Sequence, residues 1–309
     1  MRALLLVGLV GCFGGSAPPP AAPPPVQPAP VKHSAALGDP LGFLPADAQV
    51  VSVLDFKELR GSQLWQRLEP VLRQRAGTQL TQFADLCQFD PIAPLRRISI
   101  AVRDLNGTPS GVVVVRGYRR DLAMACIDKV SRESPGKLAL DRARGVASVT
   151  ENGQRVMFAF ADDTTLVVRF GPTLDATAFG ETMDSGAPLR MTPGFDELFG
   201  KVEPSHPMWV MVLDGSVFKG QTAGMNATAL VASAKIGDTA TAHLRLRLDD
   251  PANAATMATQ IQGQVQAIAA MFGDITAVAE DVDLIVTAQM TSAQLDSLLS
   301  LLGPSLGIP

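Results

Sequence analysis

The stretch PADAQVVSVLD, residues 45–55, aligns without a gap on PSHPMWVMVLD, residues 204–214. The leading proline, one central valine and the closing Val-Leu-Asp coincide at an offset of 159 residues, and Arg60-Gly61 then matches Lys219-Gly220. Each copy has the pattern of a turn, a strand rich in β-branched residues and a stop at aspartate. The match predicts that the strands Val50–Leu54 and Trp209–Leu213 open two related halves, with Val53 equivalent to Val212 and Val50 to Trp209.

The elements behind the two copies follow a common order. Behind the first, the periodicity predicts strand, strand and helix at Arg96–Arg103, Gly111–Arg116 and Arg120–Val130. Behind the second, it predicts the same at Leu230–Ile236, Ala242–Leu248 and Pro251–Met271. Later strands and a last helix are predicted at Gly145–Thr150, Arg155–Ala161, Thr165–Phe170, Asp283–Gln289 and Ser292–Leu302. Hairpins mixed with helices predict an α+β fold of two related halves, 38–185 and 186–309, each a mostly antiparallel sheet with helices packed on one face.

The chain begins with a short apolar run, MRALLLVGLVGC, in which Arg2 leads to Leu9-Val10-Gly11-Cys12. This ending resembles the lipobox of bacterial lipoproteins, in which a peptidase cuts before the cysteine. The resemblance implies a signal peptide at 1–11 and a mature N-terminal Cys12 that carries diacylglycerol on sulfur and a fatty acid such as palmitate on nitrogen. A transmembrane helix needs about 20 apolar residues, and an ordinary signal peptide expects a small-residue A-x-A-like site. The segment is short for a signal peptide, which leaves an upstream start codon open.

Residues 12–37 are predicted to be the lipidated cysteine and a tether. Ser16 to Pro30 reads SAPPPAAPPPVQPAP, with eight prolines and no charge. Such a run favours extended polyproline II at about 3.1 Å per residue, so it could hold a domain roughly 45 Å from a bilayer. Phe13 follows the cysteine where an aspartate would retain lipoproteins at the inner membrane in well-studied envelopes. We therefore expect an outer-membrane protein that faces the periplasm.

Composition narrows the partners and the compartment. Hydrophobic residues make up 47% of the chain, which is globular, and the formal net charge is −4. Removal of Arg2 leaves 25 basic against 30 acidic side chains, which argues against nucleic acid as a partner. Cys87 and Cys126 form an even pair in a chain predicted to be exported, so we expect a disulfide. Two buried free thiols are the alternative.

The globular part also resembles uncharacterised exported bacterial lipoproteins. The resemblance rests on the pattern Leu-Pro-x-Asp-Ala-x-Val-Val-x-x-Leu-Asp, here Leu44 to Asp55, and on Cys87-x-Phe89-Asp90-Pro91. It brings no known activity with it.

Few residues are candidates for chemistry. His33, His206 and His243 are expected to be surface or interface histidines, and no zinc-binding, nucleophile-elbow or phosphate-loop spacing predicts a metal or cofactor. Asp55 and Asp214 are the best carboxylate pair, because the repeat would place them equivalently. As acid and base across a cleft they would make a periplasmic hydrolase. As residues between a strand and a helix they would be N-caps, which is the interpretation that the sequence favours.

A basic surface is the more distinctive feature. Arg97, Ser99, Ala101 and Arg103 alternate with apolar residues along one predicted strand, and His243, Arg245 and Arg247 do so along another. Period two places the arginines on one face and the apolar residues toward the core. The face is either simply solvated or a binding surface for an anionic glycan, lipid head groups or an envelope protein.

The sequence therefore favours a lipid-anchored envelope lipoprotein that acts by binding or scaffolding. The hydrolase that uses Asp55 and Asp214 and a purely structural envelope component are the alternatives.

Overall fold

A computed structural model describes residues 39, 41–133, 136, 138–151, 153–184, 188–203, 206–219, 226–237, 239–295 and 297. Within these residues a sheet of twelve antiparallel strands runs through the whole domain. The strands are β1 Val50–Asp55, β2 Arg97–Arg103, β3 Ser110–Arg116, β4 Leu138–Asp141, β5 Val146–Glu151, β6 Gln154–Phe160, β7 Thr165–Gly171, β8 Met208–Val212, β9 Ala227–Ile236, β10 Thr239–Leu248, β11 Asp274–Glu280 and β12 Asp283–Thr291.

Helices connect the strands and cover the sheet. The α-helices are α1 Phe56–Leu59, α2 Gln63–Arg75, α3 Gly77–Cys87, α4 Arg120–Glu133, α5 Ala176–Asp184, α6 Phe195–Phe199 and α7 Pro251–Phe272, with 3₁₀ turns at Pro188–Met191 and Gly215–Phe218. The predicted helix Ser292–Leu302 begins at Ser292, and most of it lies outside the described residues. The signal peptide, Cys12 and the proline-rich tether also lie outside them.

The strand order is β11-β12-β10-β9-β8-β1-β2-β3-β7-β6-β5-β4, and it repeats about the centre. Each half runs outward through three consecutive strands, β1 to β3 or β8 to β10. A helix, α4 or α7, then leads to the far edge, and the remaining strands return until one pairs with the third strand. The α+β prediction with two related halves is confirmed, and the first half has two more returning strands than the second.

The register at the centre overturns the predicted residue equivalence. Val53 pairs with Trp209 across β1 and β8, and cross-strand partners share a face. Val212, three residues from Trp209, therefore points to the opposite face, so the predicted equivalence of Val53 with Val212 is wrong. The backbone N–H of Asp55 donates to the carbonyl of Pro207 and that of Leu213 to the carbonyl of Gln49.

The two donors, Asp55 and Leu213, are 158 residues apart, and so are the two acceptors, Gln49 and Pro207. The hydrogen bonds therefore relate the halves by an offset of 158 residues, whereas the sequence match has an offset of 159. A slip of one residue exchanges the faces of a strand, so the sequence match does not superpose side chains although the strand order repeats. Val50 and Trp209 likewise point to opposite faces of the sheet, so their predicted equivalence is also wrong.

The sheet is buried on both faces. One face, here called the loop-covered face, carries Val51, Val53, Ala101 and Met211 and lies beneath residues 41–48, 174–184 and 188–202, which include α5 and α6. Its largest fully buried side chains from these covering segments are Leu41, Phe43, Leu44, Phe179, Leu189 and Phe195. The other face, the helical face, packs α1 and α2 over the centre and α7 over β10 and β12. The described core therefore consists of three clusters, one on the loop-covered face and two on the helical face.

A disulfide joins Cys87, the last residue of α3, to Cys126 in α4, with the two Cα atoms 4.7 Å apart. This confirms the predicted pair. The bond closes a loop of 39 residues, which in the chain-entropy model stabilises the fold by about 3–4 kcal/mol.

Candidate functional site

Asp55 and Asp214 do not form a common site. β1 and β8 are antiparallel neighbours, so Asp55 lies beside Pro207 at one end of the pair, and Asp214 lies beyond Leu213 at the other. Seven residues of strand separate these ends, which is roughly 20 Å. The hydrolase alternative is wrong in its geometry, because an acid and a base must both reach one reacting group.

Each aspartate caps a helical turn, as the sequence favoured. The Asp55 carboxylate accepts from the backbone N–H of Lys57 at 3.0 Å, and the Asp214 carboxylate accepts from that of Ser216 at 2.8 Å. Asp214 also accepts from Gln49 Nε2 at 2.8 Å. Hydrogen bonds from the Ser216 hydroxyl and backbone N–H lower the pKa of Asp214. Both carboxylates are therefore structural.

The arginines predicted to form a binding surface are all paired with carboxylates. Arg97 Nη2 lies 2.6 Å from Asp55 Oδ2, and Arg103 contacts Asp47. Arg245 and Arg247 both reach Asp283. Charge that is already neutralised within the protein attracts an anionic partner less than free charge would.

The face that carries these arginines is not the solvated side of its strand. Ser99 and Ala101, which alternate with Arg97 and Arg103, are 1% and 0% exposed. Residues 41–48, 174–184 and 188–202 cover the middle of this face, and the small side chains leave room for that cover. The prediction that only the apolar positions face the core is wrong, because both faces of β2 are buried and the arginines lie at its two ends.

Asp283 is the centre of an ion network. This residue is 5% exposed, and its carboxylate accepts from Arg247 Nε at 3.0 Å and from Arg245 Nη1 at 2.9 Å. Arg245 also reaches Glu280 at 3.1 Å, and Arg247 reaches Glu197 at 2.7 Å. Burial alone would raise the pKa of Asp283, but the hydrogen bonds and charges of the two arginines outweigh it and hold that pKa below its usual value.

His206 and His243 come together on the loop-covered face. Their ring centroids are 5.1 Å apart, and His206 Nδ1 shares a hydrogen bond of 2.9 Å with the Ser233 hydroxyl. His206 is 7% exposed, which corrects the prediction of a surface histidine, whereas His243 is exposed. Burial lowers the pKa of His206, and the neighbouring His243 lowers it further. The neutral form of His206 is thereby favoured, and its contacts join the start of β8 to β9 and β10.

The strand β11 forms one edge of the sheet, and the sequence patterns did not predict it. In the described part of the chain it pairs on one side only, with β12. Its sequence DITAVAE places Ala277 in the core and leaves most of its other residues exposed, with Val278 54% exposed. A signal was present in Gly273, which ends α7 with φ of 80°, and in the alternation after it. The small apolar residues of β11 made that alternation weak.

The outward backbone groups of β11 can be assigned. The N–H of Ala277 donates to Oε1 of Gln262 on α7 at 3.1 Å, so it does not point to β12. Antiparallel ladders alternate, and hence the N–H and C=O groups of Ile275, Ala277 and Ala279 point away from the sheet. An edge of this kind can pair with a further strand.

The opposite edge differs. β4 has only four residues, Leu138–Asp141, and Arg142 and Arg144 follow it directly. Short, charged edges resist the addition of a strand. The two edges of the sheet are therefore unequal, and β11 is the one suited to contact.

Concave sites are shallow in the part of the chain that the structure describes. A depression of about 290 Å³ lies at the start of β11 and is lined by Thr239, Gly273, Asp274, Gln289, Met290, Thr291 and Gln294. Among the described residues, no group of three or more His, Cys, Asp or Glu side chains is placed to hold a metal ion. Helices long and apolar enough to cross a membrane are also absent from these residues.

The fold is similar to that of a protein of known structure, TP0453. Crystal form I matches with a TM-score of 0.52 and 13% identity over 85% of this chain and 98% of that chain. Form III gives a TM-score of 0.54 with 14% identity and the same coverage, and form IV gives 0.53 and 14% over 85% and 96%. At such identity the likeness shows the fold alone. No protein-family model and no curated protein matches the sequence.

Proposed function

We propose that this protein is a lipid-anchored bacterial envelope lipoprotein whose folded domain binds a protein partner and catalyses no reaction. The observation that carries the binding role is the unequal pair of sheet edges: among the described residues, the seven of β11 pair with another strand on one side only. The membrane contact is the lipid on Cys12, and the domain faces the periplasm from the outer membrane.

Three features support the anchored, exported state. Leu9-Val10-Gly11-Cys12 has the form of a lipobox, and the proline-rich run behind it provides a spacer of roughly 45 Å. Phe13 in place of aspartate favours the outer membrane. The disulfide between Cys87 and Cys126 suits an oxidising compartment such as the periplasm.

The surface favours a protein over an anionic glycan as the partner. A glycan site would use free cations, whereas Arg97, Arg103, Arg245 and Arg247 contact carboxylates of the same chain. The exposed side chains of β11 are small or β-branched, flanked by Asp274 and Glu280. Such a surface suits backbone pairing with another polypeptide.

The proposal is tested in cells with the full-length protein. A photo-crosslinking amino acid replaces Val278, or Leu122 on α4 as a control, since these side chains are 54% and 40% exposed. The same cells are labelled with a clickable fatty acid, and a Cys12→Ser variant serves as its control. We expect fatty acid in all proteins except Cys12→Ser, and one recurring crosslinked protein from position 278 but not from position 122. Equal products from both positions, or none, would contradict the binding role.

A further inference from the structure

The edge strand β11 has the features of a site for an added strand. We propose that β11 accepts, in antiparallel pairing, an extended segment of a partner protein that has a basic residue near each end and small or β-branched residues between. The inference deepens the proposed function and rests on it, because it names the surface and the chemistry of the partner.

The backbone of β11 provides the pairing groups. Ile275, Ala277 and Ala279 direct their N–H and C=O groups away from β12, as the bond from Ala277 to Gln262 shows. A partner strand could satisfy all three residues with the spacing of an antiparallel ladder. Since the strand has no proline and no lysine, it lacks the residues that commonly prevent such addition.

Gln262 protects the edge in the free protein. Its side-chain oxygen occupies the central outward donor, the N–H of Ala277. A partner carbonyl would replace this oxygen one for one, so the exchange leaves no buried donor unsatisfied. The Gln262 amide on α7 then acts as a removable cover for the edge.

The charges on β11 select the partner. Asp274 and Glu280 stand at the two ends of the strand, and Asp281 follows in the turn, all of them exposed. Glu280 contacts Arg245 but keeps 67% of its side chain exposed. Opposite charges directly across an antiparallel pair are favourable, and like charges are unfavourable. The acidic ends therefore favour a strand with basic ends.

The same charges oppose a second copy of this chain. Antiparallel self-pairing centred on Ala277 would place Asp274 opposite Glu280 at both ends of the new ladder. Each of these contacts would be repulsive, so a heterologous strand fits better than a symmetric dimer.

The first experiment measures binding of a designed peptide to the folded, disulfide-bonded protein. The peptide has seven residues, with lysine at both ends and valine alternating with threonine between, and a second peptide has glutamate at both ends. We expect the lysine peptide to bind, with amide-exchange protection at Ile275 and Ala279. The glutamate peptide should bind about tenfold more weakly, since two favourable cross-strand pairs become repulsive. Equal binding of both peptides, or protection elsewhere, would overturn the proposal.

Variants of the protein locate the contact. Ala279→Pro removes an outward N–H that β12 does not use, and Ala279→Ser keeps it as the matched control. We expect Ala279→Pro to weaken binding of the lysine peptide by at least about tenfold while Ala279→Ser changes it little. Gln262→Ala should strengthen binding about threefold, because the central donor becomes free. Binding that is unchanged in Ala279→Pro would refute pairing at this edge.

Further readouts keep the proposal testable whatever the variants do. If Ala279→Pro fails to fold, the wild-type protein is measured with a lysine peptide that carries N-methyl groups along one edge, and full retention of its affinity would refute strand pairing. The free protein could also sediment as a dimer that Ala279→Pro dissociates. This result would make a second copy the occupant of the edge and overturn the proposal. An unmodified Cys12 together with specific peptide binding would overturn only the anchored location. A crosslinked partner with no peptide binding would leave the binding role and remove β11 as its site.

Discussion

Replacement of Asp283 by alanine tests the ion network on the loop-covered face. The carboxylate is 5% exposed and accepts hydrogen bonds from Arg247 at 3.0 Å and Arg245 at 2.9 Å. Without it, the two guanidinium groups remain close together with 24% and 20% of their side chains exposed. Each arginine would keep only its exposed partner, Glu280 or Glu197, and the two like charges would lose the buried carboxylate that they share.

The size of the effect follows from this burial. Removal of one partner from a fully buried ion pair costs about 3–5 kcal/mol, and the partial exposure of both arginines reduces this. We expect Asp283→Ala to lower the free energy of unfolding by about 2–4 kcal/mol at pH 7. In a domain of this size that corresponds to a melting temperature lower by roughly 5–12 °C.

The pH dependence gives a second signature. The folded pKa of Asp283 is lowered, so its contribution is present above the unfolded pKa of about 3.9 and is lost as the pH falls through the folded pKa. The stability difference between wild type and Asp283→Asn should therefore be constant from about pH 5 to 7 and shrink toward zero below about pH 4.

Urea denaturation followed by circular dichroism measures both signatures, with the disulfide intact. Asp163→Asn, a change at an exposed aspartate in the turn before β7, is the matched control and should stay within about 0.5 kcal/mol of wild type. A loss below about 1 kcal/mol for Asp283→Ala, or a difference that grows as the pH falls, would refute the reasoning about this network.

Four further substitutions test the fold. Alanine in place of Asp55 or Asp214 should cost about 0.5–2 kcal/mol each by loss of a cap, measured as a change in the urea midpoint; no effect at either position would contradict the capping role. Cys126→Ser should cost about 3–4 kcal/mol, and the wild-type protein should show no free thiol when labelled after denaturation without reductant. Gly117→Ala should lower the free energy of unfolding by more than about 2 kcal/mol, because φ is 121° and a Cβ would collide with the carbonyl oxygen of Pro94. A melting temperature equal to that of the wild type would contradict this expectation.

The sequence was sufficient for elements with strong local patterns. The alternation in β2 and β10 predicted strands, and the periodicity predicted the helix α7, with bounds that differ from the observed ones by at most three residues. The strands predicted at Gly145–Thr150 and Arg155–Ala161 are observed as β5 and β6, which pair as a hairpin. In each of these cases the chain's own neighbours along the sequence set the geometry.

Other features depend on distant parts of the chain. Ser99 and Ala101 are buried because residues 41–48, 174–184 and 188–202 fold over them, and no local pattern on β2 contains that information. The eleven-residue match suggested equivalent side chains, but the pairing of β1 with β8 decides the faces, and a shift of one residue reverses them. Charge reversal of the arginines of the predicted basic surface should destabilise the fold, because each of them contacts a carboxylate of the same chain.

The β11 edge shows why the candidate site was missed. Its positions on the side of α7 are Ile275, Ala277 and Ala279, of which only the small Ala277 is fully buried, so its amphipathic signal is small. That it forms an edge follows from the strand order of the whole sheet. Interaction surfaces of this kind are defined by topology, whereas the arginine pattern was visible in the sequence and proved to be internal ion pairing.

Mass spectrometry of the mature N-terminal peptide from the membrane fraction tests the central claim, a lipid-anchored envelope protein, most directly. We expect a peptide that begins at Cys12 and carries the mass of a diacylglyceryl group with a further N-linked acyl chain. The Cys12→Ser protein should yield no such peptide and should leave the membrane fraction. A peptide that begins at Met1, or an unmodified Cys12 in protein that still sediments with membranes, would contradict the claim.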